Sequence, residues 1–171
     1  MTREPQMPGP DATAMAWGEL LAKTYREIGE RAMRDLPIYN DTLGVEAVGF
    51  RVLDGAIVGI IVTPWFMNVV MPANDIARDA VGSTLRFGFP AGDLEFTLGD
   101  VEPVGRIASC SLFSPMFGFS DMASALATAE AAVAELMLPA DSEEAVRRRE
   151  PATSAIDRRN FLRGVLTEQR G

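Results

Sequence analysis

The sequence predicts an α+β domain, a mostly antiparallel sheet of about five strands bracketed by an N-terminal and a C-terminal helix. Three observations predict it. Apolar residues recur at three- and four-residue spacing in one stretch near each end. Between those stretches the period drops to two, with turn residues separating the runs. No sustained strand–helix alternation follows, which excludes a doubly wound parallel sheet.

The first element is a helix. Thr13 is placed to cap it, and Trp17, Leu20, Leu21, Tyr25 (with Thr24), Ile28 and Ala32 form one apolar stripe. Lys23, Arg26, Glu27, Glu30 and Arg34 take the opposite, solvated face. Pro37 bars continuation, because the residue before a proline avoids the helical region. Residues 1–12, with Pro5, Pro8 and Pro10, read as a flexible arm.

Two hairpins follow. The stretch 45–53 alternates and ends at Asp54-Gly55, and a second run extends from Ala56 to Thr63. Asp-Gly suits a type I′ turn, whose two central residues need positive φ. The second run is apolar on both faces and belongs in the sheet's interior. Thr84 to Phe89 and Leu94 to Leu98 flank the turn Pro90-Ala91-Gly92-Asp93, and Ile107 to Phe113 is a fifth strand, entered from a loop over 99–105. The second helix covers 121–138, with Ser120 or Asp121 as cap and Met122, Leu126, Ala129, Val133 and Leu136 as its stripe. These elements make one domain over 13–140. Beyond it the composition shifts: residues 141–171 hold seven Arg against six acidic residues, about +1, which leaves about −9 on the rest. That segment reads as a mobile charged tail.

Composition narrows the function. The 171 residues carry a formal charge of −8 and no His, so the commonest general base and metal ligand are missing. The one Cys, Cys110, permits no intramolecular disulfide, CxxC pair or thiolate zinc site. Lacking a His partner and set among apolar neighbours, it reads as a buried structural thiol rather than a nucleophile. The acidic balance argues against nucleic acid. The glycines form neither a dinucleotide fingerprint nor a P-loop. The longest apolar run, Ala56 to Val62, is far short of a membrane span, and the N-terminus does not read as a secretory signal. The expectation is a cytoplasmic protein with no enzymatic activity, cofactor or metal.

Two segments stand out as candidate binding loops. In TPWFMNVVMP, residues 63–72, aromatics and methionines crowd between two prolines, which reads as an irregular segment. In CSLFSPMFGF, residues 110–119, a similar cluster ends a strand. Such residues supply large, adaptable contact area. The two loops are expected to form one peptide-binding surface from Trp65, Phe66, Met67, Asn68, Phe113, Pro115, Met116 and Phe117. The plain alternative is that both fold over the core. Asn68 either hydrogen-bonds a bound peptide backbone or caps a turn. In the tail, Arg158-Arg159-Asn160-Phe161-Leu162-Arg163 looks like a twin-arginine export core, but it stands at the wrong end of the chain to export it.

The stretches Pro37-Ile38-Tyr39-Asn40, Val45-Glu46-Ala47-Val48-Gly49-Phe50, Val62-Thr63-Pro64-Trp65-Phe66-Met67-Asn68, Phe89-Pro90-Ala91-Gly92, and Ser109-Cys110-Ser111-Leu112-Phe113-Ser114-Pro115-Met116 stand in this order along the chain. Together they resemble the HybE-type family of nickel–iron hydrogenase assembly chaperones. The likeness covers roughly residues 37–138. It implies a cytoplasmic maturation factor that holds hydrogenase small or large subunit precursors, or both, alongside other maturation factors. A small subunit bearing a twin-arginine signal is the implied client. Some relatives add a rubredoxin-like domain with four Cys. This chain has no such set, so iron binding is not carried over. A separate reading of the tail is that Arg158, Arg159, Phe161 and Leu162 mimic the client's signal and occupy the client's surface, within one chain or between two. The alternative is a solvated tail or a docking handle for another maturation factor. Two other classes stay open: a small-apolar-ligand domain or cofactor carrier built from the same loops, and a thiol-dependent enzyme using Cys110.

Overall fold

The computed structural model describes residues 9–74 and 79–143. Helix α1 (Pro10–Ile28) runs into a π-helical turn (Gly29–Met33). Strands β1 (Glu46–Leu53), β2 (Ala56–Val62), β3 (Met67–Pro72), β4 (Thr84–Phe89), β5 (Gly92–Val101) and β6 (Gly105–Phe113) follow, then helix α2 (Met122–Met137). All neighbours pair antiparallel, in the order β1-β2-β3-β6-β5-β4. The α+β class is as the sequence predicts, with six strands rather than five among the described residues.

The sixth strand comes from the segment that reads as a loop. Residues 63–66 make the turn and Met67–Pro72 pairs with both β2 and β6. The prolines do not forbid this, because Pro64 lies in the turn and Pro72 at the strand's last position, where a missing N–H costs no central rung. Thr63 fixes the turn. Its hydroxyl accepts from the N–H groups of Trp65 (3.2 Å) and Phe66 (2.9 Å) and donates to the Phe66 carbonyl (3.0 Å).

The Asp54-Gly55 turn has φ of 49° and 80° at its two residues, as a type I′ hairpin requires. Helix α1 starts at Pro10, three residues before Thr13, because a proline at the first helical position gives up an N–H that would have no partner there. Its buried face is Ala14, Gly18, Leu21, Ala22 and Tyr25, with Trp17 and Ile28 partly covered, while Leu20 and Ala32 lie off that stripe and are exposed. The second cap is Asp121, whose carboxylate accepts from Ser124 N–H at 2.7 Å and is thereby held below the usual carboxylate range.

The two helices lie on opposite faces of the sheet. Strand alternation sends Val58, Ile60 and Val62 of β2 into the core shared with α2, and Ile61 into the core shared with α1. This is why β2 is apolar at every position. On its own face α1 covers β1 and β2, and the rest of that face turns polar across one rung: Gly59, Val70, Ser109, Thr97, Thr84. The α1–sheet contact is close because the Phe50 ring lies between two glycines, Gly18 on α1 and Gly59 on β2, and a methyl at either would overlap it. Among the described residues, no helix is long and apolar enough to cross a membrane.

Candidate functional site

The segments 63–72 and 110–119 do meet, and a third segment joins them. Asn40 N–H donates to the Pro64 carbonyl (2.9 Å), and its side-chain amide donates to the carbonyls of Met116 (3.0 Å) and Phe119 (2.9 Å). Its Oδ1 accepts from the Thr42 N–H (3.1 Å) and hydroxyl (2.7 Å). The amide nitrogen thus ties this segment to the 116–119 loop, while Oδ1 fixes the local turn at Thr42.

The expected anchors separate by burial. Trp65 (6% exposed), Met67 (0%) and Met116 (0%) are interior residues. Trp65 stacks on Tyr39 at 6.1 Å and meets Phe66 edge-on at 5.5 Å, inside the α1-side core, with Tyr25 packed edge-on to both. Gly29 faces the Trp65 ring, which gives the π-helical turn room to pass over it. Met67 and Met116 belong to the α2-side core, where Phe113 packs edge-on to Phe119 at 5.0 Å. The two segments thus share the α2-side core through Met67 and Met116, while Trp65 and Phe66 of the first turn into the α1-side core. Phe66, Asn68 and Phe113 are half-buried, and Pro115 and Phe117 are exposed. Arg158, Arg159, Phe161 and Leu162 lie outside the described residues.

What reaches solvent at this end of the molecule is a rim. Phe117 (57% exposed), Leu36 (44%) and Ile38 (41%) project from the two segments that Asn40 holds together, with Pro37 and Pro115 beside them. Exposed apolar side chains grouped on one fixed edge make it a candidate contact surface for another protein, whereas scattered ones would not. The sequence reading missed Leu36, Ile38 and Asn40. Asn40 was within reach as a polar residue after the apolar Ile38-Tyr39 pair, at the close of a proline-led turn.

Asn68 caps no turn. It stands in β3 opposite Ile61 and Ser111, and its Oδ1 is buried with no hydrogen-bond partner among the described residues. Cys110 is buried in the α2-side core, as expected of a structural thiol.

Fold and rim together define a class: a three-layer α+β domain whose clamped loops present apolar side chains outward. The chain belongs to the family described as "[NiFe]-hydrogenase assembly, chaperone, HybE", whose profile matches residues 16–164. It is 75% identical over 164 residues to the hydrogenase expression/formation protein HupJ of Bradyrhizobium diazoefficiens, covering 96% of this chain and 97% of that one. It is 37% identical over 150 residues to the hydrogenase expression/formation protein HupT of Azotobacter chroococcum, covering 86% and 95%. The solution structure of HybE from Escherichia coli superposes with a TM-score of 0.58 at 23% identity, over 71% of this chain and 76% of that one.

Proposed function

We propose that this protein is a non-enzymatic, cytoplasmic chaperone that holds a nickel–iron hydrogenase subunit precursor during maturation. Its client is the small subunit still carrying a twin-arginine signal, alone or paired with the large subunit. The observation that carries this reading is the exposed rim of Leu36, Ile38 and Phe117, held by Asn40 in a chain of the HybE family. A solvent-facing Phe on a loop with a fixed backbone is costly to leave wet, and a client's apolar stretch relieves that cost. The acidic body, about −9 outside residues 141–171, complements a basic signal and speeds encounter with it.

In this reading Phe117, Pro115, Phe66, Phe113 and Asn68 touch client, whereas Trp65, Met67 and Met116 act by shaping the loops from beneath. The test is a pull-down from hydrogenase-producing cells with the full chain as bait, run beside Phe117→Ser. Recovery of the signal-bearing small subunit, weakened by the substitution, is the expected result. Large subunit alone would keep the chaperone role and remove the signal from it. No hydrogenase subunit in either lane would overturn the reading.

A further inference from the structure

Strand β1 stands at the edge of the sheet, and side chains occupy several outward hydrogen-bonding groups on it and just before it. Arg26 Nη2 donates to the Val45 carbonyl at 3.0 Å, Arg51 Nε donates to the Gly49 carbonyl at 3.1 Å, and Asp11 Oδ1 accepts from Val52 N–H at 3.0 Å. Occupied edges of this kind resist indiscriminate strand pairing. Outward groups on a strand recur every second residue, so Ala47, between Val45 and Gly49, also faces out. No side chain among the described residues bonds to its N–H or carbonyl.

Two hollows open at that gap, one on each face of the sheet. The larger, about 550 Å³, has Val48, Leu126 and Val133 among its lining residues and Glu130 at its side. The smaller, about 140 Å³, is bounded by Met15, Glu19 and Phe50. Ala47 and Gly49 line both. The cations here are engaged: Arg26 with Val45 and, at 3.9 Å, with Glu46, and Arg51 with Gly49. Glu19 and Glu130 have no cationic partner among the described residues.

We propose that this gap seats an extended peptide segment with two consecutive arginines, one reaching Glu130 on the α2 face and the other reaching Glu19 on the α1 face. The proposal rests on the client reading above and gives the signal's arginine pair its site. Successive side chains of an added strand point to opposite faces, so adjacent residues enter the two hollows together. The Ala47 backbone supplies the strand-like hydrogen bonds. Val48, Leu126 and Val133 cover the methylene stem of one arginine while its head stays at Glu130. Residues 36–44 lead directly into β1, which puts the apolar rim beyond its Glu46 end. A segment running antiparallel to β1 carries the residues after its arginine pair toward Phe117.

The test uses a fluorescent peptide with an Arg-Arg-x-Phe-Leu core and its Ala-Ala counterpart, titrated by anisotropy against the full chain. A second readout is amide hydrogen exchange. The wild type binds the Arg-Arg peptide in preference, and the peptide slows exchange at Ala47. The double variant Glu19→Gln/Glu130→Gln, with both changes at exposed positions, weakens binding roughly three- to tenfold, as two partly exposed ion pairs warrant. Undiminished binding and pair preference in the double variant, or protection that falls elsewhere, overturns this site and leaves the client reading standing. No preference for Arg-Arg in the wild type overturns both. Protection of Ala47 in the peptide-free chain, lost in Arg158→Ala/Arg159→Ala, would assign the gap to the chain's own tail and overturn the client assignment.

Discussion

The side-chain amide of Asn40 donates to the main-chain carbonyl of Met116, 76 positions later, at 3.0 Å. The same nitrogen reaches Phe119 at 2.9 Å, so one residue fixes both ends of the loop that carries Phe117. Asn40→Ala leaves the Phe119 carbonyl without this donor and the Met116 carbonyl with only the Phe119 N–H, at 3.2 Å. It is expected to cost about 1–3 kcal/mol, the range for a part-buried group left unpaired. Asn40→Asp should do no better, since a carboxylate offers no donor to either carbonyl. Urea unfolding of the three proteins checks this. A loss below about 0.5 kcal/mol would mean the clamp is not holding the loop.

Phe50 gives a second prediction, because its ring fills the space left by the missing side chains of Gly18 and Gly59. Gly59→Ala should destabilise by about 1–3 kcal/mol through overpacking. Paired with Phe50→Leu, the same substitution should cost distinctly less than the sum of the two single changes. A double-mutant cycle measures that difference. Strict additivity would show that the ring and the glycine do not depend on one another.

Much of this architecture is legible in the sequence, and what is hidden has physical causes. Asp54-Gly55 announces its hairpin because few other pairs accept two positive φ angles, and Asp121 announces α2 because its carboxylate fits an unpaired N–H. The stripe from Met122 to Leu136 shows which face of α2 is buried. Strand β3 is hidden because Pro64 and Pro72 look like barriers until the turn and the strand's end are known to fall on them. The burial of Trp65 is hidden for another reason. Whether an aromatic packs or projects depends on Tyr25, Tyr39 and Gly29, all distant in the chain. Periodicity carries no information about which face of the sheet each helix takes. For the candidate site, the sequence points to two of the three segments, and Phe117 of the second does reach solvent, but Leu36 and Ile38 come from a third that it does not single out.

Asn68 separates stability from function. Its Oδ1 is buried without a partner in a central strand, which costs free energy that an apolar β-branched residue would not. Asn68→Val is therefore expected to raise stability, by about 1 kcal/mol, since it removes the unpaired group and suits the strand. If this amide serves the client, the more stable variant should capture less of it. Thermal melts beside pull-downs decide the matter, and a variant that is both less stable and fully active would contradict both statements.

Tyr25 makes stability depend on alkaline pH. It packs edge-on against Trp65 and Phe66, and burial pushes its phenol up to about 12 from 10.0. The folded state therefore holds this proton where the unfolded chain gives it up. The stabilisation is complete below pH 10 and is lost progressively as pH climbs from about 10 toward 12, because the unfolded state alone gains by ionising. Each tenfold difference in acidity between the two states is worth about 1.4 kcal/mol, so the loss reaches roughly 2–3 kcal/mol. Tyr25→Phe keeps the ring contacts and has no proton to lose. Its unfolding free energy should match the wild type near neutrality and fall less steeply above pH 10. Urea titrations of both proteins between pH 8 and about 11.5 follow the divergence, and parallel curves would place the tyrosine hydroxyl in contact with water.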